Sequence, residues 1–259
     1  MRQNAVKRKL EAGGPVFGTM IFEFFTPGIA QIVKAAGADF ILFDMEHSGV
    51  GIDVVKTQMA ACRGLDLVPM VRVPTLQTHF IARCLDMGAM GIMVPMVETA
   101  AQARAIVEAT RYPPAGRRGA AFGVAHDDYE GGAVADKIAA ANERTMVIAL
   151  VETAEGIRNV DEIAAVDGVD VVWLGHFDLT NFMGIPAQFQ HADYLAAVDK
   201  LLAAAKTHGK AAGMMAADAT WGRDYMAKGF RAIAYGLDLA LLQRALSEGL
   251  ATLKQEARS

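Results

Sequence analysis

Short apolar runs of strand character alternate with longer amphipathic segments from one end of the chain to the other. No other feature limits the possible folds as strongly. Strands are expected over residues 16–22, 40–44, 68–73, 91–95, 146–151, 169–174, 211–215 and 232–235. Helical spacing falls between them, over 27–36, 53–64, 78–87, 99–110, 134–141, 157–165, 194–207, 221–228 and 239–253. Most strand runs are apolar at consecutive positions, as strands buried on both faces must be. Regular β–α alternation implies a parallel sheet with right-handed crossovers. Eight such units in 259 residues give the α/β class and a closed (β/α)8 barrel, the TIM barrel. Glycines at 37, 88, 168 and 229 stop helices just ahead of strands, where a left-handed residue closes the last turn. No linker or shift in composition divides the chain, so residues 1–259 are expected to form one barrel domain. An open doubly wound sheet would ordinarily carry a GxGxxG or P-loop turn, and neither occurs.

Composition narrows the partners. Lys plus Arg is 25 and Asp plus Glu is 29, a formal charge of −4, which argues against nucleic acid. The longest apolar run, residues 87–97, is interrupted by glycines and is shorter than the roughly 20 residues a membrane span needs. Residues 1–15 are basic without an apolar stretch behind them, unlike a secretory signal. Cys62 and Cys84 form no metal-type pair and read as buried thiols of a reducing compartment. A cytoplasmic protein acting on small molecules is expected.

In such a barrel, reacting groups project from the C-terminal ends of the strands. Four of these ends are polar here: Asp44-Met45-Glu46-His47, Arg72 within Met70-Val71-Arg72-Val73, Glu152 after Val151, and Asp178 within Gly175-His176-Phe177-Asp178. A charge at a strand end is often only the first solvated loop residue. Arg72 resists that reading, because apolar residues flank it and a buried guanidinium needs an acidic partner. Glu152 and Asp178 come from neighbouring strands. Two carboxylates without a histidine or cysteine ligand pattern suit a hard ion such as Mg²⁺ or Mn²⁺, with Co²⁺ or another divalent ion as substitutes. Such an ion acts as a Lewis acid on a 2-oxo acid, and Arg72 can stabilise the same oxygen as charge develops. His47 is the candidate acid/base, with Asp44 to orient it. Gly175 and the turn after it could offer backbone N–H groups to a carboxylate. These parts describe carbanion chemistry beside a carbonyl, as in an aldol or retro-aldol reaction. A Schiff-base enzyme would need a lysine at a strand end, and none is placed there. A barrel kept only as an oligomeric binding protein would not need all these ionisable groups.

At these residues the sequence resembles the HpcH/HpaI aldolases, the class II pyruvate aldolases with a phosphoenolpyruvate/pyruvate-type barrel. The likeness runs from about Pro15 to Leu253. It rests on Phe17-Gly18-Thr19, Asp44-Met45-Glu46-His47, Val71-Arg72-Val73-Pro74, Val94-Pro95-Met96-Val97, Tyr112-Pro113-Pro114, Arg118-Gly119, Val151-Glu152-Thr153 and Gly168-Val169-Asp170. The stretch from Gly175 through Asp178-Leu179 to Gly184 completes it. The resemblance implies a metal held by Glu152 and Asp178, and His47 as acid/base through a metal-bound water with Asp44 as its partner. It also implies Arg72 on the keto oxygen and backbone groups near Phe177 and Asp178 on the substrate carboxylate. The reaction implied is reversible cleavage of a 4-hydroxy-2-oxo acid to pyruvate, or a related 2-oxo acid, and an aldehyde. A CoA-thioester lyase or an oxaloacetate-type decarboxylase is the alternative on the same fold. A homohexamer is implied, with the C-terminal helix, 239–253, exchanged between subunits. Two segments depart from the family pattern. His176 and Phe177 replace small or rigid residues before Asp178, and 119–129, which the family directs toward the pocket, lacks its usual arginines. His176 is expected on the aldehyde side of the pocket and Met215, at the end of the seventh strand, against the acceptor tail. His126 is the one remaining histidine in a position to matter.

Overall fold

The computed structural model describes residues 1–257. Eight parallel strands close into a barrel in sequence order: β1 (Val16–Ile21), β2 (Phe40–Asp44), β3 (Val68–Arg72), β4 (Gly91–Val94), β5 (Met146–Val151), β6 (Val171–Leu174), β7 (Ala211–Ala216) and β8 (Ala232–Leu237). The ring shuts where Val16 of β1 pairs with Ala232 of β8. Around it lie α1 (Ala5–Glu11), α2 (Ile29–Ala35), α3 (Ile52–Ala61), α4 (Thr78–Asp86), α5 (Ala100–Thr110) and α6 (Val134–Arg144). They are followed by α7 (Ala154–Arg158), α8 (Val160–Ala164), α9 (His176–Phe182), α10 (Ala192–Thr207), α11 (Ala219–Lys228) and α12 (Asp238–Glu256). Among the described residues no helix is long and apolar enough to cross a membrane.

The strands alternate between two cores. In β2, Phe40 and Leu42 join the barrel interior with Met20, Met93, Leu150 and Trp173. Ile41 and Phe43 of the same strand face the helices, beside Val55, Ile81 and Val147. Side chains a residue apart on a strand point to opposite faces, and here both faces are apolar.

Strands β2 and β5 coincide with the sequence expectation, and the other six differ at one or both ends. β6 begins at Val171 rather than at 169. The reason is Asp170, whose carboxylate accepts from Val147 N–H at 2.7 Å while its own N–H donates to Val147 O at 3.0 Å. The helix expected over 157–165 is two helices. They meet at Asn159, whose side-chain amide donates to Glu98 O at 2.8 Å. Helices α1 and α9 have no counterpart in the sequence reading.

Within its own barrel, the segment 119–129 lies at the end opposite the C-terminal strand ends, beside residues that lead into β4 and β5. It does not approach the pocket of its own chain. Helix α5 carries the chain down to that end, and the N-terminal segment holds it there. Asn4 donates to Met90 O and Arg144 O, just ahead of β4 and β5, at 3.0 and 2.9 Å. Arg144 in turn donates to His126 O, and Arg2 pairs with Asp128 at 3.5 Å. His126 is buried in this layer, its ring bonded to Ala121 O.

Gly213 illustrates how tightly the interior is filled. A Cβ there would fall 2.2 Å from the Trp173 ring. Gly213→Ala is expected to destabilise the protein by about 1–3 kcal/mol through overpacking. Denaturant titration checks this, and an unchanged midpoint would contradict it.

Candidate active site

The paired register of β2 and β3 sets Asp44 directly opposite Arg72. Both side chains are buried, and Arg72 Nε donates to Asp44 Oδ1 at 2.6 Å. The same carboxylate accepts the backbone N–H of Glu46 at 3.1 Å and that of His47 at 2.9 Å. Asp44 therefore holds His47 through its main chain, not through its ring as expected for an acid/base partner. The carboxylate near the imidazole is Glu46, with Oε2 3.7 Å from His47 Nε2. Arg72 Nη1 lies 3.0 Å from the same Glu46 oxygen. The guanidinium stands 5.3 Å from the Phe22 ring centroid, and Phe22 also stacks with the His47 ring, centroids 6.3 Å apart. Arg72 Nη2 is buried and has no partner. One donor of an otherwise committed guanidinium is thus left for a ligand.

Across the barrel, Val151 of β5 pairs with Leu174 of β6, which sets Glu152 beside Gly175. The approach requires glycine, since a Cβ at 175 would fall 2.4 Å from Glu152 Cβ and Oε2. Glu152 Oε1 accepts the Met96 N–H at 2.8 Å. Met96 adopts φ 55°, an uncommon left-handed conformation for a methionine, just beyond β4. Burial pushes the Glu152 carboxyl up to about 8; the Met96 N–H opposes this, while the negative charges of Glu46 and Asp178 add to it. Glu46 is also raised, first by burial, against the pull of Arg72 and His47.

Asp178 stands in the first turn of α9. Before it, His176 is packed between Phe177, Phe189 and Trp221, with ring centroids 4.7, 5.4 and 4.8 Å away. Its Nε2 has no partner, and burial lowers its pKa to about 4. Phe177 is 51% exposed at the rim.

A cavity of about 170 Å³ opens between these groups. It is lined by the sequence candidates His47, Arg72, Glu152, Gly175, His176, Phe177, Asp178 and Met215. Asp44 supports it from behind. Sequence reasoning missed Glu46 as a second partner of Arg72, although it stands in the same acidic strand end. It also missed the apolar lining from Met20, Phe22, Trp173 and Leu237. Those positions face inward, but inward and outward faces of these strands are equally apolar, so no alternation marks them.

Among the described residues, no three or more His, Cys, Asp or Glu side chains converge as a metal cage. Two oxygen-bearing side chains facing one cavity do fit a hard divalent ion that takes its remaining ligands from water and substrate. The charge balance supports the fit. Arg72 is engaged by Asp44 and Glu46, and among the described residues no ion pair reaches Glu152 or Asp178.

Glu152 also sets an expectation for metal-free protein. The native state keeps its proton up to about pH 8, whereas an unfolded glutamate releases it near 4.5. The native state binds the extra proton in that window, so stability is lost as pH rises through about 8. Denaturant midpoints measured with chelator at about pH 6.5 and about pH 8.5 should fall at the higher pH. Glu152→Gln should flatten this difference, and an equal slope in both proteins would contradict the assignment.

Comparison with known proteins agrees with the fold. The family model for HpcH/HpaI aldolase/citrate lyase matches residues 20–245. A hydroxypyruvate/pyruvate aldolase of Deinococcus radiodurans is 37% identical over 255 residues, covering 98% of this chain and 91% of the relative. A 4-hydroxy-2-oxo-heptane-1,7-dioate aldolase of Escherichia coli is 34% identical, covering 96% of this chain and 94% of its own. The crystal structure of an HpcH/HpaI aldolase from Desulfitobacterium hafniense superposes with a TM-score of 0.92 at 30% identity, over 96% of each chain. The chain belongs to the HpcH/HpaI aldolase/citrate lyase family, and it is an aldolase.

Proposed function

We propose that this aldolase is divalent-metal-dependent and cleaves 4-hydroxy-2-oxo acids reversibly to pyruvate, or a related 2-oxo acid, and an aldehyde. The observation carrying this reading is the pair Glu152 and Asp178, two carboxylates facing one cavity whose guanidinium is already engaged by other acids. They would hold Mg²⁺, Mn²⁺ or Co²⁺. Bound there, the ion would polarise the keto oxygen of the substrate as a Lewis acid. Arg72 donates its free Nη2 to the same region, and Asp44 and Glu46 keep the guanidinium from turning away. That donor gains strength as negative charge grows on the keto oxygen. Gly175 lets the chain approach closely, so that backbone groups at Phe177 and Asp178 can meet the substrate carboxylate. His47, at the mouth of the cavity, takes the proton of the 4-hydroxyl in cleavage and returns it in synthesis. In cleavage the C3–C4 bond breaks, the electron pair passes toward the keto oxygen, and C3 then takes a proton to give the methyl group of pyruvate. The relatives named for pyruvate and for a 4-hydroxy-2-oxo diacid agree with this substrate class.

The working unit proposed is one barrel domain within a homo-oligomer. Helix α12 buries only Asp238 against its own chain. Leu239, Leu242, Leu246, Leu250 and Leu253 are 40–63% exposed along it. A helix of this length with an apolar stripe in water needs another surface to cover it. The homohexamer implied by the resemblance, with α12 exchanged between copies, would supply that surface.

Calorimetric titration with Mn²⁺ should show a binding event that is lost in the double variant Glu152→Gln, Asp178→Asn. Exchange of pyruvate methyl protons, followed by NMR, should stop in chelator and in the same variant. Full exchange with chelator present would overturn the metal reading. Leu246→Glu combined with Leu250→Glu should lower the mass seen in sedimentation, and an unchanged mass would remove α12 from the interface.

A further inference from the structure

We infer that the acceptor half of the cavity selects an uncharged, apolar aldehyde over one that carries a carboxylate. This deepens the aldolase reading above and rests on it. The barrel closes in the order β1 to β8, so β7, β8 and β1 form one continuous arc. The residues this arc sends into the cavity are Met215, Leu237, Met20 and Phe22, all apolar. The ionisable lining comes from the other side, from the end of β3 and from just after β2, β5 and β6, as Arg72, His47, Glu152, His176 and Asp178. The keto acid takes up that charged side, and the second reactant is left against the apolar arc.

The charge inventory points the same way. Among the described residues lining the cavity, Arg72 is the one lysine or arginine. Its Nε and Nη1 are held by Asp44 and Glu46, and its free Nη2 is claimed by the keto acid. A carboxylate on the acceptor tail would lose its water against methionine, leucine and phenylalanine, with no free lysine or arginine on that arc to meet it. A buried charge without a partner is strongly disfavoured. Its nearest charged neighbours would include the like-charged Asp178. An alkyl or aryl tail removes apolar surface from water on both sides instead. Phe177 extends this surface to the rim, where it is 51% exposed and braced edge-on by Phe189 at 5.3 Å.

Two aldehydes of nearly equal shape test the inference: 4-methylpentanal, which ends in an isopropyl group, and 4-oxobutanoate, which ends in a carboxylate. Glycolaldehyde serves as a small common acceptor. The full chain, supplied with Mg²⁺ or Mn²⁺ and saturating pyruvate, is assayed for kcat/KM with each. The expected result is a preference of about tenfold or more for 4-methylpentanal, the size of discrimination an apolar pocket gives between tails of different polarity. Met215→Arg should shift the ratio toward 4-oxobutanoate, and Leu237→Arg on the adjacent strand serves if the first variant does not fold. Equal use of the two aldehydes, or preference for 4-oxobutanoate, with pyruvate proton exchange intact, overturns the inference and leaves the aldolase reading standing. No turnover of any aldehyde, glycolaldehyde included, together with no exchange of pyruvate protons, removes that reading and the inference with it.

Discussion

The ion pair between Asp44 and Arg72 is the contact on which the mouth of this barrel depends. A guanidinium at the end of an apolar strand is tolerable only if its charge is met and its donors are filled. Asp44 does this with one fully buried carboxylate that also accepts the N–H groups of Glu46 and His47. A single side chain thereby fixes the direction of Arg72 and the course of the chain that carries His47. Asp238 plays a similar part at the seam of the barrel, where its carboxylate accepts from the backbone of Phe22, Glu23 and Phe24. Phe22, which stands over Arg72, is thus tied to the start of α12, just after β8, by its N–H on the Asp238 carboxylate.

The opposite wall works on a different balance. Glu152 is held by one backbone N–H, from a methionine in a strained conformation, and has no cation of its own. Burial then favours its protonated form. Strain and an uncompensated charge at the same point are unfavourable for folding alone. Such features gather at functional sites, where the surrounding structure maintains them. The aromatic packing around His176 has a different character. It surrounds His176, two residues before Asp178, with rings and, among the described residues, leaves the buried imidazole Nε2 without a hydrogen bond.

Much of the barrel was legible in the sequence, but its irregular points were not. Strands β2 and β5 are continuous apolar runs with clear ends, and the reading met them residue for residue. The start of β6 was misplaced because Val169 continues the apolar pattern, while Asp170 diverts the pairing through its side chain. Helix α9 was read as a turn. It has seven residues, follows a glycine, and gains its order from Leu179 and Thr180 packed beneath it. The place of segment 119–129 in its own barrel was not legible, because it depends on Arg2 and Arg144, which are distant in sequence, and on Asn4, which holds Arg144 in turn.

By itself the sequence determined the number of β–α units, the closed parallel barrel they imply, and the chemical types waiting at the strand ends. Those properties are local, written in the spacing of apolar residues and in the few polar ones that interrupt it. Only the tertiary structure decided which acid meets which cation. Asp44 lies three residues from His47 in the chain, yet strand register gives its carboxylate to Arg72, 28 residues away. It also decided that one arc of the cavity is wholly apolar, because which face of a doubly buried strand looks inward is fixed by the closure of the barrel and not by the pattern of its residues.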